Sequence, residues 1–198
     1  MTLIQEFWSW ITPAQGPISA SPGLGHAAPT TSQVPFPRSD SKPTVIAFLR
    51  HCGCPFAEKT FLRLRDAAGR YRDVKLIAVS YSSELHTSKW LAEVGGVGDT
   101  NPVDVVVDED RTVYAKWGLG ISSFLHVLSP GELSEVFSLA WNEGIKNRPT
   151  ESGNRWQTSG AWAVNEGGII VWGRAAKGAS EIPDFDEAVT QVKTENGG

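Results

Sequence analysis

Along the 198-residue chain the spacing of apolar and polar positions changes several times, and each change marks an element. TVIAFL (44–49) is a short apolar run with β-branched residues, the pattern of a strand buried on both faces. Pro55 then occupies a natural first helical position, with Phe56, Leu62, Leu64 and Ala68 supplying apolar contacts up to Gly69. VKLIAVS (74–80) predicts a second strand and VDVVVD (103–108) a third. Between them, Ser83 to Val94 predicts a helix with Leu85, Trp90 and Leu91 turned inward.

Residues 129–144 carry the clearest helical signal. Ser129 and Glu132 form a capping box with Pro130 just inside, and Leu133, Val136, Phe137, Ala140 and Trp141 recur at helical spacing before Gly144. AWAVNEGGIIVWGR sets two apolar runs around Asn165-Glu166-Gly167-Gly168, a β-hairpin signal. Pro183 opens a last helix containing Phe185, Ala188, Val189 and Val192. A βαβαβ half implies parallel strands with right-handed crossovers. Followed by helix, hairpin and helix, it is the element order of an α/β thioredoxin-like fold, a central mixed sheet flanked by helices.

The amino-terminal part is organised differently. Leu3, Ile4, Phe7, Trp8 and Ile11 make an apolar helical stripe suited to docking, while Glu6 and the lack of a basic leader argue against a signal peptide. Residues 12–43 are rich in Pro, Ser, Thr, Gly and Ala without a period. Residues 1–42 therefore read as an amino-terminal helix and extended lead-in, and 43–198 as the compact domain.

Charge narrows the partners. Eighteen basic and 22 acidic residues give a net charge of −4 with no basic block, which disfavours nucleic acid and anionic membrane surfaces. No stretch approaches the ~20 apolar residues of a membrane span. A cytoplasmic protein is expected, in which free thiols stay reduced. Small molecules and proteins remain as partners, a homodimer among them.

Both cysteines lie in LRHCGCPFAEK (49–59). Cys54 falls where a strand's carboxyl end meets a helix's amino end, a place whose backbone N–H groups and dipole favour a thiolate. His51 and Arg50 are candidates for added positive potential, and Glu58 for a proton shuttle or a solvent-facing group. Cys52, two residues earlier, could close only a small, strained and easily reduced ring with Cys54. A closed metal site needs three or four ligands. His51, Cys52 and Cys54 lie too close in sequence to converge on one ion, so neither metal nor cofactor is expected.

PTVIAFLRHCGCPFAEK resembles the active-site stretch of peroxiredoxin-like proteins of the alkyl hydroperoxide reductase/thiol-specific antioxidant superfamily, particularly the fungal peroxiredoxin-like 2 type. The likeness extends through VKLIAVS, VVVDEDRTVYAKWGLG, SGNRWQTSGAWAVNEGGIIVW and IPDFDEAV, over roughly residues 43–192. It implies a thiol-dependent antioxidant oxidoreductase or peroxidase with Cys54 as the catalytic nucleophile, resolved by Cys52 or by an external thiol reductant. The substrate would be a peroxide or a disulfide.

The chain departs from the family pattern at three places. Ala57 stands where the Cys-Pro-x-Cys motif has its second cysteine. His51 and Ala47 stand where Pro-x-x-x-Thr-x-x-Cys has threonine and proline. No proline occurs in Thr158–Ala161, where a thioredoxin fold places one facing the cysteine.

A second reading keeps the scaffold and drops the redox step: a cofactor-independent cyclase, isomerase or lyase of fungal secondary metabolism acting on an apolar metabolite. Eight tryptophans suit such a pocket, with Arg155, Trp156 and Gln157 as substrate-binding candidates. A third is a non-catalytic binding module that docks through the Trp-rich amino-terminal helix.

Overall fold

The computed structural model of the protein describes residues 16–96, 101–121, 141, 143–145, 147–149 and 152–195. Five strands form one sheet: β1 (Thr44–Phe48), β2 (Lys75–Ser80), β3 (Asp104–Val107), β4 (Gly160–Val164) and β5 (Ile170–Ala175). Their order is β3-β2-β1-β4-β5. β1 and β2 pair in parallel, as do β2 and β3, whereas β4 runs antiparallel to both β1 and β5. The helices among the described residues are α1 (Pro55–Arg70), α2 (Glu84–Glu93), α3 (Thr112–Lys116) and α4 (Phe185–Glu195).

Side chains of β1 alternate between two cores. Val45 and Ala47, with Leu49 just beyond, face a layer containing Phe61, Leu64, Ala67 and Ala68 of α1 and Ala188, Val189 and Val192 of α4. Ile46 and Phe48 face the opposite layer, with Tyr114, Trp117, Trp162 and Val34. This two-sided burial is why β1 is apolar from Val45 to Phe48 rather than alternating. Each fully buried Leu, Ile or Phe contributes roughly 1.5–3 kcal/mol, so β1 anchors both layers.

Where the predicted strands and helices fall on described residues, they lie within a residue or two of the observed ones, with two differences. Leu85 is 74% exposed, because Thr87, Trp90, Leu91 and Val94 define the inward stripe of α2 and Leu85 lies on the opposite side. The short α3 was not anticipated. Its N-cap is Arg111 in the left-handed region (φ 61°), with Asp110 accepting the Thr112 N–H at 3.2 Å.

The lead-in is ordered over the second core. Ala28 and Val34 are buried, and Ala28 N–H donates to Gly168 O at the hairpin tip. Gly168 (φ 79°) supplies the left-handed turn residue between β4 and β5. The amino-terminal stripe (3–11) and nearly all of the 129–144 helix lie outside the described residues, although Trp141 is helical and 91% exposed. No helix among the described residues is long and apolar enough to cross a membrane.

Candidate thiol site

Cys54 is the N-cap of α1. Its backbone is extended (φ −79°, ψ 126°), Pro55 begins the helix, and the sulfur makes no capping hydrogen bond. A tight turn brings it there from β1: Cys54 N–H donates to His51 O at 2.9 Å, and Glu58 N–H donates to Cys54 O at 3.2 Å. β1 fixes the turn from the other end, since Leu49 N–H donates to Val79 O. The Tyr114 hydroxyl reaches Leu49 O at 2.6 Å and Val79 O at 2.7 Å. Both thiols are free and buried, Cys52 at 9% exposure and Cys54 at 5%.

Cys52 sits among hydroxyls. Its N–H donates to Ser82 Oγ at 3.2 Å, and its sulfur lies 3.6 Å from Ser80 Oγ and 3.8 Å from Thr87 Oγ1. Ser80 and Thr87 are themselves 2.9 Å apart. Burial pushes the Cys52 thiol pKa up, and the three hydroxyls pull it partly back.

Arg148, Pro149, Ser152, Asn154 and Arg155 form a cover over the turn that holds Cys52 and Gly53. Arg148 N–H donates to Gly53 O at 3.0 Å. Ser82 Oγ donates to Ser152 O, and Ser83 N–H donates to Ser152 Oγ. The Tyr81 hydroxyl bonds both the N–H and the C=O of Asn154, and the Arg50 guanidinium donates to Arg155 O. Gly53 is required under this cover: a Cβ there would lie 2.8 Å from Arg148 O and 2.9 Å from Pro149 O.

His51 is buried, and its Nδ1 accepts the Gly53 N–H at 3.2 Å. Burial, with Arg50 and Arg155 nearby, holds its pKa well below the usual value. It is therefore neutral, with the charges of Arg50 and Arg155 nearby. Glu58 is not solvent-facing, because it is buried and paired with Arg148, Nε to Oε2 at 2.9 Å. Arg148 also reaches Glu93 at 2.7 Å, tying α1, α2 and the cover together.

Trp156 and Gln157 are 7% and 2% exposed. Trp156 N–H donates to Asn154 Oδ1, and Gln157 Nε2 donates to Gly120 O. They thus stabilise the cover and its exit into β4. The sequence reading missed Ser80, Ser82, Thr87, Tyr81, Arg148 and Asn154. Only Thr87 carried a usable signal, its place on the inward stripe of α2.

Two cavities flank the site. One of about 150 Å³ has Cys52 and Gly53 in its wall, with His86, Trp90, Arg148 and Ser152. The other, about 360 Å³, lies between the end of β5 and the start of α4, lined by Phe48, Thr60, Ser159, Trp172, Arg174 and Glu181 among others. A narrow gap reaching Arg50, Phe56 and Ala57 shares Phe48, Thr60, Ser159 and Glu181 with it. It leads from the larger cavity toward the amino end of α1.

A sequence profile of AhpC/TSA antioxidant enzymes matches residues 63–178, from mid-α1 to beyond β5. The match begins after both cysteines. No curated protein matches the chain in sequence. Among solved structures, a mutant of peroxiredoxin 6 from Arenicola marina is similar at TM-score 0.62 and 16% identity, over 89% of this chain and 74% of that one. A thiol peroxidase from Chromobacterium violaceum gives TM-score 0.58 and 15% identity over 92% of each chain. A peroxiredoxin-like protein from Aquifex aeolicus gives 0.56 and 14%, over 89% of this chain and 90% of that one. At such identities these structures establish the thioredoxin-like fold. The sequence match spans more than half of the chain, and with it this peroxiredoxin-like protein belongs to the AhpC/TSA antioxidant enzyme family.

Proposed function

We propose that the protein is a thiol-dependent peroxidase-like oxidoreductase in which Cys54 is the nucleophile. The observation that carries this reading is the place of Cys54 at the N-cap of α1, immediately after β1 and before Pro55. The first helical N–H groups favour negative charge at that point. Cys54 thiolate attacks the near oxygen of a hydroperoxide; the O–O bond breaks, the sulfur becomes a sulfenic acid, and the alkoxide takes up a proton. Cys52, or an external thiol, then displaces the sulfenic hydroxyl as water and leaves a disulfide. From a Cys52–Cys54 disulfide two equivalents of thiol restore both sulfurs and depart as a disulfide; from a mixed disulfide on Cys54 one further thiol suffices. Arg50 keeps a positive charge beside the turn.

Peroxide consumption with a small thiol reductant tests the proposal. Cys54→Ser should abolish turnover above the thiol-only background, whereas turnover unchanged by this substitution sinks the reading. Free thiols of this kind suit the reducing cytoplasm.

The cavity of about 360 Å³, walled by Trp172 and Ile182 together with Arg174 and Glu181, supports one second reading, a cofactor-independent cyclase, isomerase or lyase acting on a metabolite with apolar and polar parts. Conversion of such a compound retained in both Cys52→Ser and Cys54→Ser would select it.

A further inference from the structure

We infer that Cys52 is the sulfur on which an external low-molecular-weight thiol or disulfide exchanges, and that Ser80 is the positioning residue that prepares it. The inference deepens the thiol-dependent reading above and rests on it for its place in the cycle.

Access comes first. Cys52 and Gly53 form part of the wall of the 150 Å³ cavity, between Trp90 on α2 and Arg148 of the cover. That volume is about five waters' worth, enough for the disulfide end of a small molecule.

Preparation comes from the hydroxyls. The Thr87 hydroxyl donates to Ser82 O at 3.1 Å, so its one proton is committed. The Ser80 hydroxyl, 2.9 Å from Thr87 Oγ1 and 3.6 Å from Cys52 Sγ, has two acceptors within reach. While Cys52 is a thiol, its S–H points at Ser80 Oγ and Ser80 donates to Thr87. When Cys52 ionises, the Ser80 proton swings to the sulfur and supports the thiolate. Ser82 holds the Cys52 N–H and the Ser152 carbonyl at once, fixing the sulfur relative to the cover.

The exchange balances. Cys52 thiolate attacks one sulfur of a small disulfide, a protein–ligand S–S bond forms, the ligand's own S–S bond breaks, and the second half leaves as thiolate. Run in the regenerating direction, a small thiolate attacks Cys52 of a Cys52–Cys54 disulfide and releases Cys54 as thiolate. A second thiolate then attacks the ligand sulfur, freeing Cys52 and leaving as a small disulfide.

The test uses the reduced full-length protein and 2-hydroxyethyl disulfide, with peptide mapping of the adduct across pH. In Cys54→Ser, where no neighbouring thiol can displace it, one 2-hydroxyethylthio group is expected on Cys52; in the parent Cys54 displaces it and leaves a Cys52–Cys54 disulfide. Peroxide turnover plays no part in this readout, so failure of the Cys54 peroxidase reading would leave the result standing. Ser80→Ala added to Cys54→Ser, with folding checked by circular dichroism, should slow the adduct roughly tenfold at neutral pH. Its pH–rate profile should move to higher pH and keep its alkaline plateau. An adduct found only on Cys54, no adduct on Cys52 in Cys54→Ser, or an unshifted profile when Ser80→Ala is added to Cys54→Ser would overturn the inference.

Discussion

Arg148 and Glu58 meet across the Cys-Gly-Cys turn, Nε to Oε2 at 2.9 Å, while the Arg148 backbone N–H donates to Gly53 O. One residue of the cover is thus bound to the first turn of α1 through its side chain and to the thiol turn through its backbone. Arg148→Ala would leave the carboxylate of Glu58, only 8% exposed, without its partner. A loss of about 1–3 kcal/mol in urea unfolding is expected, together with faster alkylation of Cys52. In a Glu58→Gln background the same substitution should cost clearly less, since the two residues share one interaction. Unchanged alkylation in Arg148→Ala would show that the ion pair does not hold the cover.

Gly53→Ala tests the same cover sterically. The added methyl would press on Arg148 O and Pro149 O at 2.8 and 2.9 Å, and relieving such overpacking costs about 1–3 kcal/mol. The variant should unfold at lower denaturant and expose the thiols to iodoacetamide sooner than the parent. Equal thiol protection would place the cover elsewhere.

His51 sets a pH dependence. Its folded pKa is depressed below the ordinary 6.5 by burial and the neighbouring arginines. In the window just below 6.5 the unfolded chain binds a proton that the folded chain refuses. Stability therefore falls as pH drops from 6.5 toward the depressed value. Carboxylates held low, such as Asp40 and Asp73, act only at more acid pH. His51→Asn keeps an acceptor for the Gly53 N–H and removes the proton site. Its thermal midpoint should change less between pH 7 and 5 than the parent's, and parallel slopes would refute the assignment.

Tyr114→Phe removes the hydroxyl that closes the carboxyl ends of β1 and β2 through Leu49 O and Val79 O. The loss should be about 1–3 kcal/mol, the cost of leaving buried carbonyls short of a donor. Hydrogen exchange at the Leu49 amide, which bonds Val79 O, should accelerate more than exchange in α4. Uniform acceleration across both would indicate global unfolding instead.

Sequence legibility divides along the range of the interactions involved. β1, the Pro55 start of α1 and the Asn165–Gly168 turn were readable because apolar period, helix capping and turn chemistry are local. α3 was not, since it has five residues and begins on Arg111 in a left-handed conformation that no residue preference announces. Cys54 was readable as a site because strand, cysteine and Pro55 are contiguous. The surroundings of Cys52 were not: Ser80 and Thr87 reach it from β2 and α2, 28 and 35 residues away. Arg155, Trp156 and Gln157 are expected as substrate-binding residues from sequence; Trp156 and Gln157 are buried, bonded to Asn154 and Gly120. Their burial depends on Tyr81, Asn154 and Gly120, which only the folded chain brings together. Hydroxyls near a thiol, absent from position 51, are supplied to Cys52 from other elements.

The cover also imposes an order on the protein's assembly. Arg155, which closes over Arg50, lies 105 residues further along the chain, and Asn154 lies 73 beyond Tyr81. At synthesis rates of about 5–20 residues per second, roughly 5–20 s separate the emergence of Cys54 from that of Arg155. Through that interval β1, α1 and β2 can pair while the turn of Cys52 and Gly53 stands without its roof. The nascent chain is thus more open to oxidation than the finished protein, and its exposure ends only when a distant segment docks.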